Sequence, residues 1–153
     1  MSRKAKPDIA QILEIGRTCV CFNVRKAARA VTQIYDNALR PAGLRGTQFT
    51  LLAAIKLLQP VTVAHLADAT VTDRTTLGRN LKLLEKKGMI RILAGEDLRE
   101  RNVYLTERGE AAVAKGISLW EKAQTTLTEQ LGWEATERLL ADLALLVEAA
   151  RRV

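Results

Sequence analysis

One stretch of fifteen residues, from Gly95 to Gly109, constrains the fold of this chain more than any other part. It contains a charged hairpin tip, a short strand with alternating apolar residues, and a helix start at Thr106. Just upstream, residues 77–88 have the periodicity of a helix with one apolar face, one basic face and a terminal glycine. A basic amphipathic helix followed directly by an arginine-tipped hairpin is typical of a winged helix. That fold places the helix in the major groove of DNA and the hairpin against the backbone or the minor groove.

The rest of the sequence is dominated by helical periodicity. Aromatic residues make up only 4% of the chain while Leu and Ala dominate, which favours helices over a sandwich or a barrel. We therefore predict a mainly α fold with a small β wing, in which a winged helix-turn-helix domain is joined to a helical dimerisation platform. The predicted helices are 8–40, 48–58 with Thr47 as its N-cap, a short helix after Thr62, 73–87, 106–131 and 133–152, and the predicted strands are 89–93 and 102–105.

The helices at the two ends of the chain predict a homodimer. The first predicted helix is too long for a small lobe to cover, and the last is lined with leucines. Together they present more apolar surface than one small domain can bury, and a second copy of the chain would cover it. We assign residues 1–45 and 110–153 to a helical dimerisation region and residues 46–109 to a DNA-binding lobe.

The charge of the chain favours a nucleic-acid partner because of where it lies. The formal net charge is +7, and residues 1–50 hold nine Lys or Arg against three Asp or Glu. A basic composition alone is weak evidence, but its position beside a winged-helix pattern strengthens the interpretation. No apolar run approaches the roughly 18 residues that span a bilayer, and the basic N-terminus lacks the apolar stretch of a signal peptide. We expect a cytoplasmic protein with no membrane partner.

The second helix of the helix-turn-helix is the candidate DNA-reading element. If Leu77, Leu81 and Leu84 face the core, the helical period turns a polar and basic side outward. Arg can donate to both acceptors of guanine, Thr can contact a thymine methyl or a phosphate, and Gly lets the backbone approach closely. A solvated surface is the alternative interpretation of such a side. The candidate DNA-binding residues of this helix are Arg74, Thr75, Thr76, Arg79 and Lys82, with Gly78 and Lys86 on the same side.

The hairpin tip supplies the second half of the candidate interface. Arg99 and Arg101 lie at the tip, and a narrow minor groove concentrates negative potential that attracts an inserted arginine. Asp97 precedes Arg99 by two residues and would hold its guanidinium or the backbone of the tip, because a carboxylate facing phosphate is repelled. The alternative is a surface Asp–Arg pair of little energetic value.

These motifs resemble those of the multiple-antibiotic-resistance-regulator (MarR) family of bacterial transcription regulators. The family's wing signature corresponds here to Asp97-Leu-Arg99 followed by Leu105-Thr-Glu-Arg-Gly109, and its recognition-helix ending to Leu81-Lys-Leu-Leu-Glu-Lys-Lys-Gly88. Similar segments occur in residues 27–52, so the resemblance covers nearly the whole chain. It implies an obligate homodimer on a near-palindromic operator in double-stranded DNA. It also implies repression of nearby genes, relieved by a small ligand or an oxidant.

Cys19 and Cys21 are the candidate sensor residues. In a continuous helix, side chains two positions apart point about 200° apart, so a disulfide between them would require unwinding. One thiol could instead pair with the other subunit, form a sulfenic acid or bind a soft metal. Free cysteines also commonly pack as small apolar residues. The sequence leaves these alternatives open.

The sequence offers little for catalysis or metal binding. His65 is the single histidine, and Cys19-Val-Cys21 has no second pair to complete a tetrahedral metal site. Catalytic Ser/His/Asp sets and phosphate-cradling loops are not recognisable in the sequence. We expect no enzyme activity, no metal and no cofactor.

Two functional hypotheses follow. The first is a dimeric, sequence-specific DNA-binding regulator, released from its operator by cysteine oxidation or by a small aromatic or amphipathic effector bound between platform and lobe. The second is a winged helix used as a protein-interaction module, with its basic face against an acidic partner. Discrimination between a cognate site and random duplex separates the two.

Overall fold

The computed structural model describes residues 6–97 and 99–153 and confirms the mainly α fold with a small β wing. In that part of the chain, seven α-helices accompany one small antiparallel sheet. The elements in chain order are α1 (Ile9–Thr18), α2 (Val20–Leu39), a 3₁₀ turn (Arg40–Ala42), α3 (Gly46–Leu58), β1 (Val61–Thr62), α4 (Val63–Ala69), α5 (Arg74–Lys86), β2 (Ile90–Ala94), β3 (Arg101–Leu105), α6 (Glu107–Leu131) and α7 (Trp133–Arg151).

The prediction of one continuous helix over 8–40 is wrong, because the backbone leaves the helix at Cys19. This residue has φ −67° and ψ 108°, and its Sγ accepts the N–H of Phe22 as the N-cap of α2. The side-chain amide of Asn23 donates to the carbonyl oxygens of Gly16 (3.2 Å) and Cys19 (3.0 Å). The first bond gives the Gly16 carbonyl, at the end of α1, a partner across the break, and the second adds to the backbone N–H of Asn23, which the Cys19 carbonyl already accepts at 3.1 Å. Apolar periodicity continues across such a break and does not reveal it.

The start of α3 also differs from the prediction, which gave the N-cap to Thr47. The helix begins at Gly46, with Arg45 as its N-cap, so Thr47 lies inside the first turn. The carboxylate of Asp36, on α2, accepts the Gly46 N–H at 2.7 Å. The side chain of Gln48 accepts the Arg45 N–H at 3.2 Å. A carboxylate from another helix therefore supports this helix start.

The sheet has the strand order β1-β3-β2 and is antiparallel throughout. The hairpin of β2 and β3 was predicted, with bounds that differ by one residue. Strand β1 was not predicted, because two residues are too short for an alternating pattern; Val61 pairs with Val103. The side chain of Gln59 extends this edge by accepting the Leu105 N–H at 2.9 Å.

The core is formed mostly by residues of the stretch from α3 to β3. Ten large side chains are fully buried, and nine of them lie within residues 46–109; they are Leu39, Leu52, Ile55, Val61, Leu66, Leu77, Leu81, Leu84, Ile90 and Val103. Helix α6 packs closely onto this lobe. A Cβ at Gly109 would lie 2.0 Å from the carbonyl oxygen of Met89, so only glycine allows the start of α6 to pass the base of β2.

The four helices outside the lobe, α1, α2, α6 and α7, are called here the helical arms. They leave many large apolar side chains exposed. No residue of α1 is buried, and the only buried residue of α7 is Thr136. No helix in the described part of the chain is long and apolar enough to cross a bilayer.

Candidate nucleic-acid interface

Helix α5 is held in place at its N-terminus by a short turn after α4. Asp73 is the N-cap, and its carboxylate accepts the Thr76 N–H at 2.8 Å. Hydrogen bonds from the side chain and the backbone of Thr76 lower the pKa of Asp73 below its ordinary value. The cap is therefore ionised at neutral pH, where a carboxylate at the positive end of the helix is favourable.

The two sides of α5 separate as the periodicity predicts. Leu77, Leu81 and Leu84 are at most 2% exposed and pack into the core of the lobe. The basic and hydroxyl side chains on the other sides of the helix are exposed; they are Arg74, Thr75, Thr76, Arg79, Lys82 and Lys86. None of the ion pairs within the described residues involves Arg74, Arg79 or Lys82. The positive charge of this surface is therefore available to a phosphate or a base edge.

Gly78 lies on the same outward surface and has a specific property. A Cβ built at this position would meet no atom within 4 Å apart from its own helix. Glycine is a poor helix former, and nothing in the folded subunit requires it here. The lack of a side chain here would allow a DNA backbone or base to come close to α5.

The base of the wing and the end of α5 share one anchor. Gly88 has φ +67°, the left-handed conformation that ends a helix. Met89 then donates its N–H to the Leu84 carbonyl at 3.0 Å, and the Thr106 hydroxyl donates to the Gly88 carbonyl at 2.6 Å. These bonds fix where the hairpin leaves the helix.

At the tip, Asp97 accepts the backbone N–H of Arg99 at 2.9 Å. The sequence left two roles open for this carboxylate, holding the Arg99 guanidinium or holding the backbone of the tip. In the structure it bonds to the backbone. The tip is closed by two further backbone bonds, from Gly95 to Glu100 and from Glu100 to Asp97. The side chains of Arg99 and Arg101 are exposed.

Sequence reasoning passed over three charged side chains of the wing. Glu96 and Glu100 are exposed beside the two arginines, so the tip is not uniformly cationic. Arg91 is an exposed cation on β2, opposite Tyr104. The alternation of β2 could have indicated Arg91, because Ile90 and Ile92 on either side of it face the core. Any contact of this wing with DNA depends on individual arginines more than on its overall charge.

The two candidate sensor cysteines lie at the junction of α1 and α2. Cys19 is half-buried at the helix break and Cys21 is exposed in the first turn of α2, both as free thiols. In the single subunit, Cys21 therefore does not pack into a core. His65 is exposed on α4, and residues 6–97 and 99–153 contain no cluster of three His, Cys, Asp or Glu side chains placed to hold a metal ion.

A cavity of about 420 Å³ opens between α2, α3, α5 and α6. Tyr35, Phe49 and Trp120 supply aromatic walls, and Leu77 and Asn80 line it from α5. The Tyr35 hydroxyl, on α2, donates to the side chain of Gln124, on α6. Burial raises the pKa of Tyr35, so it stays a neutral donor.

Comparison with known proteins agrees with this geometry. A model of the MarR family matches residues 42–100. The transcriptional regulator SarZ of Staphylococcus epidermidis is 30% identical over 127 residues, which cover 81% of this chain and 83% of SarZ. The regulator YwoH of Bacillus subtilis is 29% identical over 57% of this chain, and the match spans 64% of YwoH, somewhat less than two thirds of its length.

A solved structure is similar to this chain in both sequence and fold. It is the transcriptional regulator MosR of M. tuberculosis in complex with DNA, 42% identical with a TM-score of 0.77, covering 87% of this chain and 98% of MosR. The similarity therefore includes both the lobe and the helical arms. The chain belongs to the MarR family of winged-helix, DNA-binding transcriptional regulators and is not an enzyme.

Proposed function

We propose that this chain is a homodimeric repressor that binds a near-palindromic operator and is released from it by a chemical signal. The observation that carries the proposal is the exposed cationic side of α5, which lies opposite three leucines buried in the lobe. In this proposal α5 enters the major groove and the wing reaches the adjacent minor groove. The DNA-contacting residues are Arg74, Thr75, Thr76, Arg79, Lys82, Arg99 and Arg101, with Asp97 as support of the wing.

The helical arms support a second copy of the chain as partner. Large apolar side chains that are well exposed in the single subunit include Ile9 (68%), Leu13 (65%), Trp133 (69%) and Leu140 (59%). So many exposed large apolar side chains are unusual on a monomer and typical of a subunit interface. We therefore propose residues 1–45 and 110–153 as the dimerisation region and 46–109 as the DNA-binding lobe. A two-fold dimer presents its α5 helices to two half-sites in opposite orientation, hence the near-palindrome.

For release we consider first a small aromatic or amphipathic effector in the 420 Å³ cavity. Its aromatic walls suit a planar apolar body, and the Tyr35 hydroxyl and the Asn80 amide suit one polar group. Because the cavity lies between α2 and α5, an occupant would favour one position of the lobe relative to the helical arms. Release requires that this position no longer fits the operator.

Cysteine oxidation is the second route, and the helix break favours it. Cys19 has extended backbone, so the 200° separation expected of a continuous helix does not apply to this pair. Peroxide would take two electrons and two protons from the thiols of Cys19 and Cys21, forming one disulfide and two molecules of water. If peroxide still weakens operator binding in a Cys19→Ser/Cys21→Ser variant, this route is excluded.

The experiment that tests the proposal is sequencing of DNA fragments captured by the purified protein, followed by binding to the motif found. We expect discrimination of at least about 10³ between the cognate site and random duplex. Equal affinity for both would favour the alternative, a protein-interaction module with an acidic partner. The chromosome is the expected partner, so we place the protein in the cytoplasm.

A further inference from the structure

A polar cleft lies beside α5, on a flank between its buried leucines and its outward basic side. It has a volume of about 880 Å³ and is bounded by α2, the 3₁₀ turn, the start of α3 and α5. Asn80, Leu83 and Lys87 line it from the α5 side. Their spacing of three and four residues makes them neighbours on one helix flank. The aromatic cavity described above is adjacent to this cleft, and Thr47 and Asn80 line both.

The cleft carries an excess of positive charge. Arg40, Arg45 and Lys87 line it, against one carboxylate, that of Asp36. The Asp36 carboxylate is already engaged, because it accepts the Gly46 N–H at 2.7 Å. No ion pair among the described residues involves any of the three cations. A concave surface with this balance attracts an anion.

Gln48 at the floor of the cleft supplies an independent indication. The residue is only 6% exposed, and its side-chain oxygen accepts both the Arg45 N–H and the Lys87 ammonium, each at 3.2 Å. With the oxygen so placed, the amide nitrogen makes no hydrogen bond to any described residue. It is not sealed off from solvent either, since the described chain has no fully buried side-chain nitrogen or oxygen without a partner. Because Gln48 lines the cleft, this donor is open to an acceptor bound there.

Lys87 also has a hydrogen-bond donor that is left for a ligand. Its ammonium donates to two neutral oxygens, the Gly43 carbonyl at 3.1 Å and the Gln48 side chain. An ammonium has three protons, so one is left for a further acceptor. The lysine is half-buried and held by these bonds, so little side-chain freedom is lost when a ligand binds.

We propose that this cleft binds the phosphate or carboxylate group of a small metabolite, which accepts from the Gln48 amide, the Lys87 ammonium and the Arg45 guanidinium. A small ligand fits better than a phosphate of the DNA backbone. The floor donor belongs to a residue that is almost completely buried, whereas a duplex is held against outward-facing side chains. Binding of a charged acceptor satisfies a donor that the folded chain leaves open.

The experiment is a titration of the DNA-free protein with inorganic phosphate at constant ionic strength, followed by calorimetry and by the side-chain amide signals in NMR. We expect saturable binding at millimolar concentration and a shift of the Gln48 amide signal. Gln48→Glu keeps an oxygen for Lys87 but removes the donor, and should weaken binding by about tenfold or more. Arg45→Ala, at an exposed position, should weaken binding in the same direction if Gln48→Glu fails to fold.

Arg25→Ala is the matched control, because it removes an exposed cation of α2 outside the cleft and lowers the net charge by one, as Gln48→Glu does. It should leave phosphate binding unchanged. Absence of saturable binding, or an equal loss in the control, overturns the proposal. So does an Arg45→Ala variant that lowers the salt dependence of operator binding while free phosphate does not bind, since the cation would then serve the DNA backbone. The titration contains no DNA, so its outcome is independent of the proposed repressor function.

Discussion

The lobe and the helical arms of this subunit use apolar residues in opposite ways. In the lobe, side chains such as Leu52, Ile55 and Leu84 are fully buried. In the arms, Ile9, Leu13 and Leu140 keep half or more of their surface exposed. The lobe thus has a core of its own, whereas the arms expose apolar surface that the proposed second copy of the chain would cover. If the proposed dimer forms, substitutions in the two regions should therefore differ, with those in the lobe acting on folding and those in the arms acting on assembly.

The largest effect is expected in the core of the lobe. Leu84→Ala should lower the free energy of unfolding by about 2–5 kcal/mol, because it leaves a cavity among fully buried side chains. Chemical denaturation at several protein concentrations measures the loss. Leu83→Ala is the control on the same helix; Leu83 is 42% exposed and should cost much less. Equal losses at the two positions would mean that the lobe is not the independent core inferred here.

The second prediction concerns the arms. Leu140→Ala should weaken dimerisation by about 1.5–3 kcal/mol per subunit, the value of burying one leucine side chain. Analytical ultracentrifugation gives the dissociation constant. Leu57→Ala removes a leucine that is 83% exposed on the lobe, and should leave the constant unchanged. A dimer insensitive to Leu140→Ala would move the interface away from this part of α7.

The third prediction concerns the wing. Its expected effect on the free energy of operator binding is similar to or smaller than that of Leu140→Ala on dimerisation. Arg99→Ala should weaken operator binding by about 1–3 kcal/mol if its guanidinium reaches the groove. Fluorescence anisotropy with labelled operator measures the change. Arg138→Ala, an exposed arginine of α7, should have little effect. An unchanged affinity for Arg99→Ala would exclude the wing tip from the interface.

The smallest effect is expected at Gly78, a glycine of α5. Gly78→Ala should raise the free energy of unfolding by about 0.5–1 kcal/mol, because alanine favours the helix and the folded subunit has room for it. The same methyl group should weaken operator binding if DNA approaches the α5 backbone. Gly16→Ala in α1 also meets no atom within 4 Å, and should raise stability without loss of affinity. Unchanged DNA affinity in both variants would place the duplex away from Gly78.

Much of the lobe could be predicted from local sequence. The spacing of Leu77, Leu81 and Leu84 fixes which side of α5 is buried, and Gly88 marks where the helix ends. The hairpin and the Asp97–Arg99 tip follow from alternation and turn chemistry within a few residues. These features involve neighbours in the chain, so a local pattern contains the information needed for them.

Other features depend on groups that the sequence does not place side by side. The start of α3 depends on a carboxylate of α2, which accepts the Gly46 N–H. Gln48 reaches Lys87 across a separation of 39 residues. Hydrogen bonds between distant residues depend on how the helices pack. Local patterns in the sequence therefore account for the winged lobe and its basic side, whereas the start of α3, the two cavities and the open donor of Gln48 follow from the way the helices pack.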